Sequence, residues 1–104
     1  MIKVSVLYPS SPDAKFDMDY YLTKHVPMAA AKLGGACKGG GVDQGRAGGA
    51  PGEAPPFVAM AYLLFDSLED FQAAFLPNAD TFMEDMPNYT NIKPILQISE
   101  VMGS

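Results

Sequence analysis

His25 is the only histidine among 104 residues, and imidazole is the one side chain that ordinarily titrates near neutral pH. A base at this position can take a proton from an acidic C–H or a phenolic O–H, leaving an enolate or phenolate. Such an anion needs hydrogen-bond donors beside it. Ser5, Tyr8, Tyr62, Gln97 and Ser99 are polar-tipped candidates on predicted strands, and Tyr21 flanks His25 on the same helical stretch. Met83, in a short apolar piece with Phe82 and Met86, suits either core packing or an adaptable pocket wall. For each tyrosine, packing with a satisfied hydroxyl is the competing role. Binding of a metal would require several histidines or carboxylates to converge, which a single histidine makes a poor expectation. Cys37 stands alone, so neither an intrachain disulfide nor a thiolate-rich metal site is expected. Haem held by His25 is a weaker option, since only Lys24 and Lys32 stand near enough in sequence to pair with propionates. No cofactor is expected.

The stretch that positions His25 runs from Asp17 to Gly34. At about 100° per residue, Met18, Leu22, His25, Ala29 and Leu33 fall on one side, which predicts an amphipathic helix. Asp17 suits the N-cap, Asp19 the positive end of the dipole, and Gly34 a left-handed stop. Pro27 lacks the N–H that would reach the carbonyl of Thr23, so a kink is predicted just after His25. In an unsupported helix such a break costs about 3 kcal/mol.

Around this helix the chain reads as one domain over residues 1–104, with 48% hydrophobic content and a net charge of −5. No Lys or Arg lies between Arg46 and Lys93, a region that holds Asp66, Glu69, Asp70, Asp80, Glu84 and Asp85. That acidic half argues against nucleic acid and against anionic membrane surfaces as partners. No apolar run approaches spanning length and Met1 leads directly into a strand pattern, so a cytoplasmic location is expected.

Residues 2–8 alternate, with Ile2, Val4, Val6 and Tyr8 on one face and Lys3, Ser5 and Leu7 on the other. Nine of the ten glycines fall between Gly34 and Gly52. Their spacing matches neither a P-loop nor a dinucleotide fingerprint. A weak, bulged strand over residues 36–44 and a flexible loop over 46–56 are predicted instead. Residues 57–65 are apolar on both faces, so the strand they form needs cover on two sides. With so few helices, a second copy of the chain is the expected cover. Ser67 caps a second helix that Pro77 closes, a shorter helical piece spans 79–86, and Ile95, Leu96, Ile98, Val101 and Met102 mark the last strand. The order β-α-β-β-α-β predicts an α+β, ferredoxin-like fold: a four-stranded antiparallel sheet with its helices on one face.

Three stretches resemble the EthD family, a group named for ethyl tert-butyl ether breakdown within the dimeric α/β-barrel superfamily. They are the run from Tyr20 to Met28 with its His-Val-Pro, Ala61–Phe65 followed by Ser67–Phe71, and Asp85-Met86-Pro87-Asn88-Tyr89-Thr90. The resemblance implies a homodimer with two sheets packed face to face, and it matches His25 to the family's recurrent histidine. It does not define a reaction. Superfamily relatives include cofactor-free monooxygenases, polyketide cyclases, muconolactone isomerases and haem-degrading enzymes. The resulting expectation is acid/base chemistry on a small apolar molecule in a pocket between sheet and helices, or simple binding of such a molecule.

Overall fold

The alternation at the start of the chain becomes β1 (Ile2–Pro9) in the computed structural model, which describes residues 1–103. There follow α1 (Met18–Tyr20), a π-helical turn (Tyr21–His25), α2 (Val26–Leu33), β2 (Cys37–Gln44), β3 (Phe57–Phe65), α3 (Leu68–Phe75), α4 (Ala79–Asp85) and β4 (Ile95–Glu100). Strand order across the sheet is β2-β3-β1-β4, and each neighbouring pair is antiparallel. This is the four-stranded ferredoxin-like α+β arrangement expected from the element order.

The pleat of β1 decides which residues meet the helices, because successive side chains point to opposite faces. Val4 and Tyr8 are buried beneath the helices, and their register partners Leu63 and Ala59 share that face. Two core clusters result. One gathers Val4, Leu33, Phe65 and Phe71; the other gathers Tyr8, Tyr21, Ala59, Ala61 and Tyr89. Phe65 is 0% exposed, so its truncation to Ala should cost about 3–5 kcal/mol.

The helical stretch departs from the expected periodicity. Its break covers Tyr21–His25, where the N–H of Val26 reaches back to the carbonyl of Tyr21, rather than falling just after His25. The α geometry then restarts with Pro27 in its first turn, where a missing N–H leaves no helical bond unmade. A widened turn rotates the face that follows it. Tyr21, His25 and Leu33 are buried as a result, whereas Leu22, expected on that stripe, is 47% exposed.

Most remaining expectations for local structure hold. The Asp17 carboxylate accepts from the N–H of Tyr20, Ser67 accepts from the N–H of Asp70, and Gly34 ends α2 at φ +64°. β2 is irregular, with a register shift between Cys37 and Gly39. β4 stops at Glu100, so Val101 and Met102 lie beyond the strand. Among the described residues no helix is long and apolar enough to cross a membrane.

Candidate functional site

The π-helical turn turns the His25 ring toward the sheet, where it is nearly buried, with 8% residual exposure. Aromatic rings hold it on several sides. Tyr21 stacks on it at 5.4 Å and 14°, Tyr89 lies at 4.6 Å, and the edge of Phe82 approaches at 6.4 Å. Each such pair adds roughly 0.5–1.5 kcal/mol beyond area burial, so the ring has little rotational freedom.

Nδ1 of His25 lies 2.8 Å from Oδ2 of Asp85, the last residue of α4. The other carboxylate oxygen, Oδ1, accepts from the Tyr20 hydroxyl at 2.7 Å and from the Asn88 amide at 3.0 Å. Desolvation works against the charge on Asp85, but these donors outweigh it and hold the carboxyl below its ordinary value. The Tyr20 phenol is in turn raised, chiefly by its bond to that carboxylate. A carboxylate on Nδ1 fixes the proton there and leaves Nε2 as an acceptor. Among the described residues no buried side-chain nitrogen or oxygen lacks a partner. Since Nε2 makes no bond, it must keep accessible surface.

His25 also borders a cavity of ≈ 770 Å³ between the helices and the sheet. The size falls within the range of small-molecule sites. Apolar walls come from Val26, Ala29, Leu33, Phe75, Phe82 and Leu96, and the glycine run Gly39–Gly41 contributes bare backbone on the β2 side.

Beside His25 the polar atoms are phenols. The Tyr8 and Tyr89 hydroxyls share one hydrogen bond of 2.9 Å. Two O–H groups with one bond between them leave a hydrogen to donate elsewhere. Burial pushes Tyr8, Tyr21 and Tyr89 well above the ordinary phenol value, so all three remain donors at neutral pH. Tyr89 is placed by the turn that precedes β4. Its carbonyl accepts from the N–H of Asp17 at 2.7 Å, and the neighbouring Thr90 hydroxyl donates to the carbonyl of Lys15 at 2.6 Å.

Of the residues expected at the site, Tyr8, Tyr21, His25 and Met83 border this cavity together. Ser5, Gln97 and Ser99 do not. They stand on the opposite face, because Ser5 alternates with Val4 and Val6 and pairs with Gln97, while Ser99 pairs with Lys3. Tyr62 also belongs to that outer face. Its ring lies against Gly41 and under the Lys3 ammonium at 4.8 Å, and the residue also borders the cavity beside Gly41. Asp85, Tyr20 and Tyr89 were not anticipated at the site. The signal in the sequence is the family-like Asp85–Thr90 run for Asp85 and Tyr89, and the Tyr20–Met28 run for Tyr20. Among the described residues no group of three or more His, Cys, Asp or Glu side chains could hold a metal ion.

Comparison with known proteins places the chain in a family. The EthD domain matches residues 11–93. An EthD-like protein of Ralstonia eutropha JMP134 is 47% identical, with a TM-score of 0.93 over 98% of this chain and 92% of the other. An EthD family protein of Bacillus halodurans C-125 is 21% identical, with a TM-score of 0.67 over 98% and 99% of the two chains. A dimeric protein of unknown function and ferredoxin-like fold from Bacteroides fragilis NCTC 9343 shares 18% identity and a TM-score of 0.57 over 96% and 95%. No curated protein matches the chain.

Proposed function

Because the chain belongs to the EthD family and presents a carboxylate-held imidazole to an apolar cavity, we propose a cofactor-independent acid/base enzyme acting on a small, mostly apolar ring compound, lactone or ether catabolite. The observation that carries this reading is the 2.8 Å contact from Asp85 to Nδ1 of a ring that also borders the cavity. Nε2 accepts a proton from an acidic C–H or phenolic O–H of the bound molecule. The bonding electron pair stays on the substrate as an enolate or phenolate. The imidazolium that forms faces the Asp85 carboxylate, so the new positive charge is stabilised where it appears. The spare hydroxyl hydrogen of the Tyr8–Tyr89 pair can donate to the substrate oxyanion. Whether isomerisation, cyclisation or reaction with dioxygen follows is decided by the substrate.

Solvent exchange tests the proton transfer directly. With a bound compound carrying an acidic C–H in D₂O, the wild type should incorporate deuterium. His25→Gln should lower that rate by roughly 10²- to 10⁴-fold, the usual contribution of a positioned base. An unchanged rate in the variant would rule His25 out as the base.

The apolar walls also suit a second reading, in which the protein holds a hydrophobic compound for a partner enzyme and no proton moves. In that case a bound compound is recovered unchanged and undeuterated, and His25→Gln alters affinity alone.

The same reading includes a homodimer. The outer face of the sheet carries Leu7 between its register partners Met60 and Ile95, of which Met60 is 42% and Ile95 52% exposed. A second copy on this face would remove that apolar row from water, consistent with the relative described as dimeric.

A further inference from the structure

We infer that the cavity takes an amphipathic acid: a molecule with an apolar body and one carboxylate, the latter held by Lys93. This deepens the acid/base reading above and rests on the cavity being a small-molecule site. The chain carries seven Lys and Arg against twelve Asp and Glu. Among the described residues, Lys93 is the one residue of these four types that borders the cavity. Every acidic residue is kept off its walls, in a protein whose net charge is −5. Asp85, the carboxylate nearest the site, is already committed to His25, Tyr20 and Asn88.

Position supports the same assignment. Lys93 lies just before β4, is exposed, and makes no ion pair with an acidic side chain. It stands with Pro94 and Leu96 at the β4 side of the cavity, across the sheet from the glycine run of β2. Three inter-strand spacings separate those sides, about 14 Å, enough for a fused-ring or short-chain body. Lys93 is also close in the chain to the histidine's surroundings. Tyr89 touches the His25 ring, and Ile92 packs against the cluster that contains Tyr89. A carboxylate on Lys93 would place the rest of the same molecule in the cavity that His25 also borders. An ammonium at the rim of an apolar cavity acts through low-dielectric walls, which strengthen its pull on one anionic group. The apolar interior meanwhile disfavours a second charge.

Binding of 2-naphthoate and of neutral 2-naphthamide, measured by calorimetry, tests this, with the ring signals of His25 in NMR reporting that each probe occupies the cavity. The wild type should bind the carboxylate roughly 5- to 20-fold more tightly, between the range of an exposed ion pair and that of a charge-assisted hydrogen bond. Lys93→Gln should abolish the preference and leave the affinity for the amide unchanged. Lys93→Arg should retain it, and added salt should reduce it in the wild type. Equal affinities in the wild type, or a preference that survives Lys93→Gln, would overturn the assignment of Lys93 while leaving the cavity reading intact. Failure of both probes to bind or to move the His25 signals would overturn the cavity reading and this inference together.

Discussion

Asp85 Oδ2 and His25 Nδ1 meet at 2.8 Å across 60 residues of chain, joining the end of α4 to the end of a π-helical turn. The contact sets the tautomer as well as the orientation of the ring. Replacing Asp85 with Asn offers an amide N–H₂ that can donate to Nδ1, which moves the ring proton to Nε2 and removes the acceptor from the cavity. Asp85→Asn should therefore lower proton abstraction by roughly 10²- to 10⁴-fold. With one histidine in the chain, ¹⁵N shifts of its ring read the tautomer without ambiguity. A variant that keeps the proton on Nδ1 and still loses turnover would assign Asp85 some other role.

The site should also imprint itself on stability against pH. Asp85 has a folded value below its ordinary 3.8, so its contribution is present above that pH and is lost as acid protonates the folded carboxylate. The phenols act in the opposite direction. Tyr8, Tyr21 and Tyr89 are raised above 10.0, so their contribution is complete below pH 10.0 and is lost as the pH climbs through the raised values. Melting temperature should fall steeply above about pH 10, in step with tyrosinate absorbance. Tyr8→Phe should cost about 1 kcal/mol at neutral pH through the lost bond to Tyr89, and should make the alkaline fall shallower.

Strands were legible in the sequence because their side chains alternate or are uniformly apolar; the partners of His25 were not. β1 and β3 stood out, as did the caps at Asp17 and Ser67. Asp85 looked like one more member of an acidic region, since nothing local distinguishes a carboxylate that will meet a ring 60 residues away. Leu22 was misplaced for a different reason. A fixed 100° step has no room for the widened turn over Tyr21–His25, and that turn brings Tyr21 rather than Leu22 under the helix. For Ser5 the alternation already pointed away from the helices. For Gln97 and Ser99 the loose pattern of β4 concealed the face, which register with Ser5 and Lys3 decides.

The glycine run of β2 makes a steric prediction. A Cβ on Gly40 would lie 2.6 Å from the Tyr62 carbonyl oxygen and 3.4 Å from Leu63 Cδ2, and a backbone oxygen cannot swing aside. Gly40→Ala should therefore cost about 1–3 kcal/mol in urea unfolding. Gly49→Ala, where an added Cβ meets nothing within 4 Å, should be neutral or stabilising by about 0.4–1 kcal/mol through the unfolded chain. Equal effects at the two positions would mean that β2 is not held against β3 as described.

The row Met60–Leu7–Ile95 gives the last prediction. These side chains are cross-strand neighbours on the face of the sheet that no helix covers. A stable interface of ordinary size removes roughly 800 Å² from each partner, and an apolar row at its centre would be its energetic focus. The wild type should sediment as a dimer at micromolar concentration. Leu7→Glu should sediment as a monomer, because the new carboxylates would be desolvated beside Met60 and Ile95. The cavity lies on the other side of the sheet, so the ring signals of His25 should keep their wild-type positions in that monomer. A monomeric wild type would leave the row uncovered and would remove the homodimer from the proposed function, whereas a dimeric Leu7→Glu would move the interface to another face.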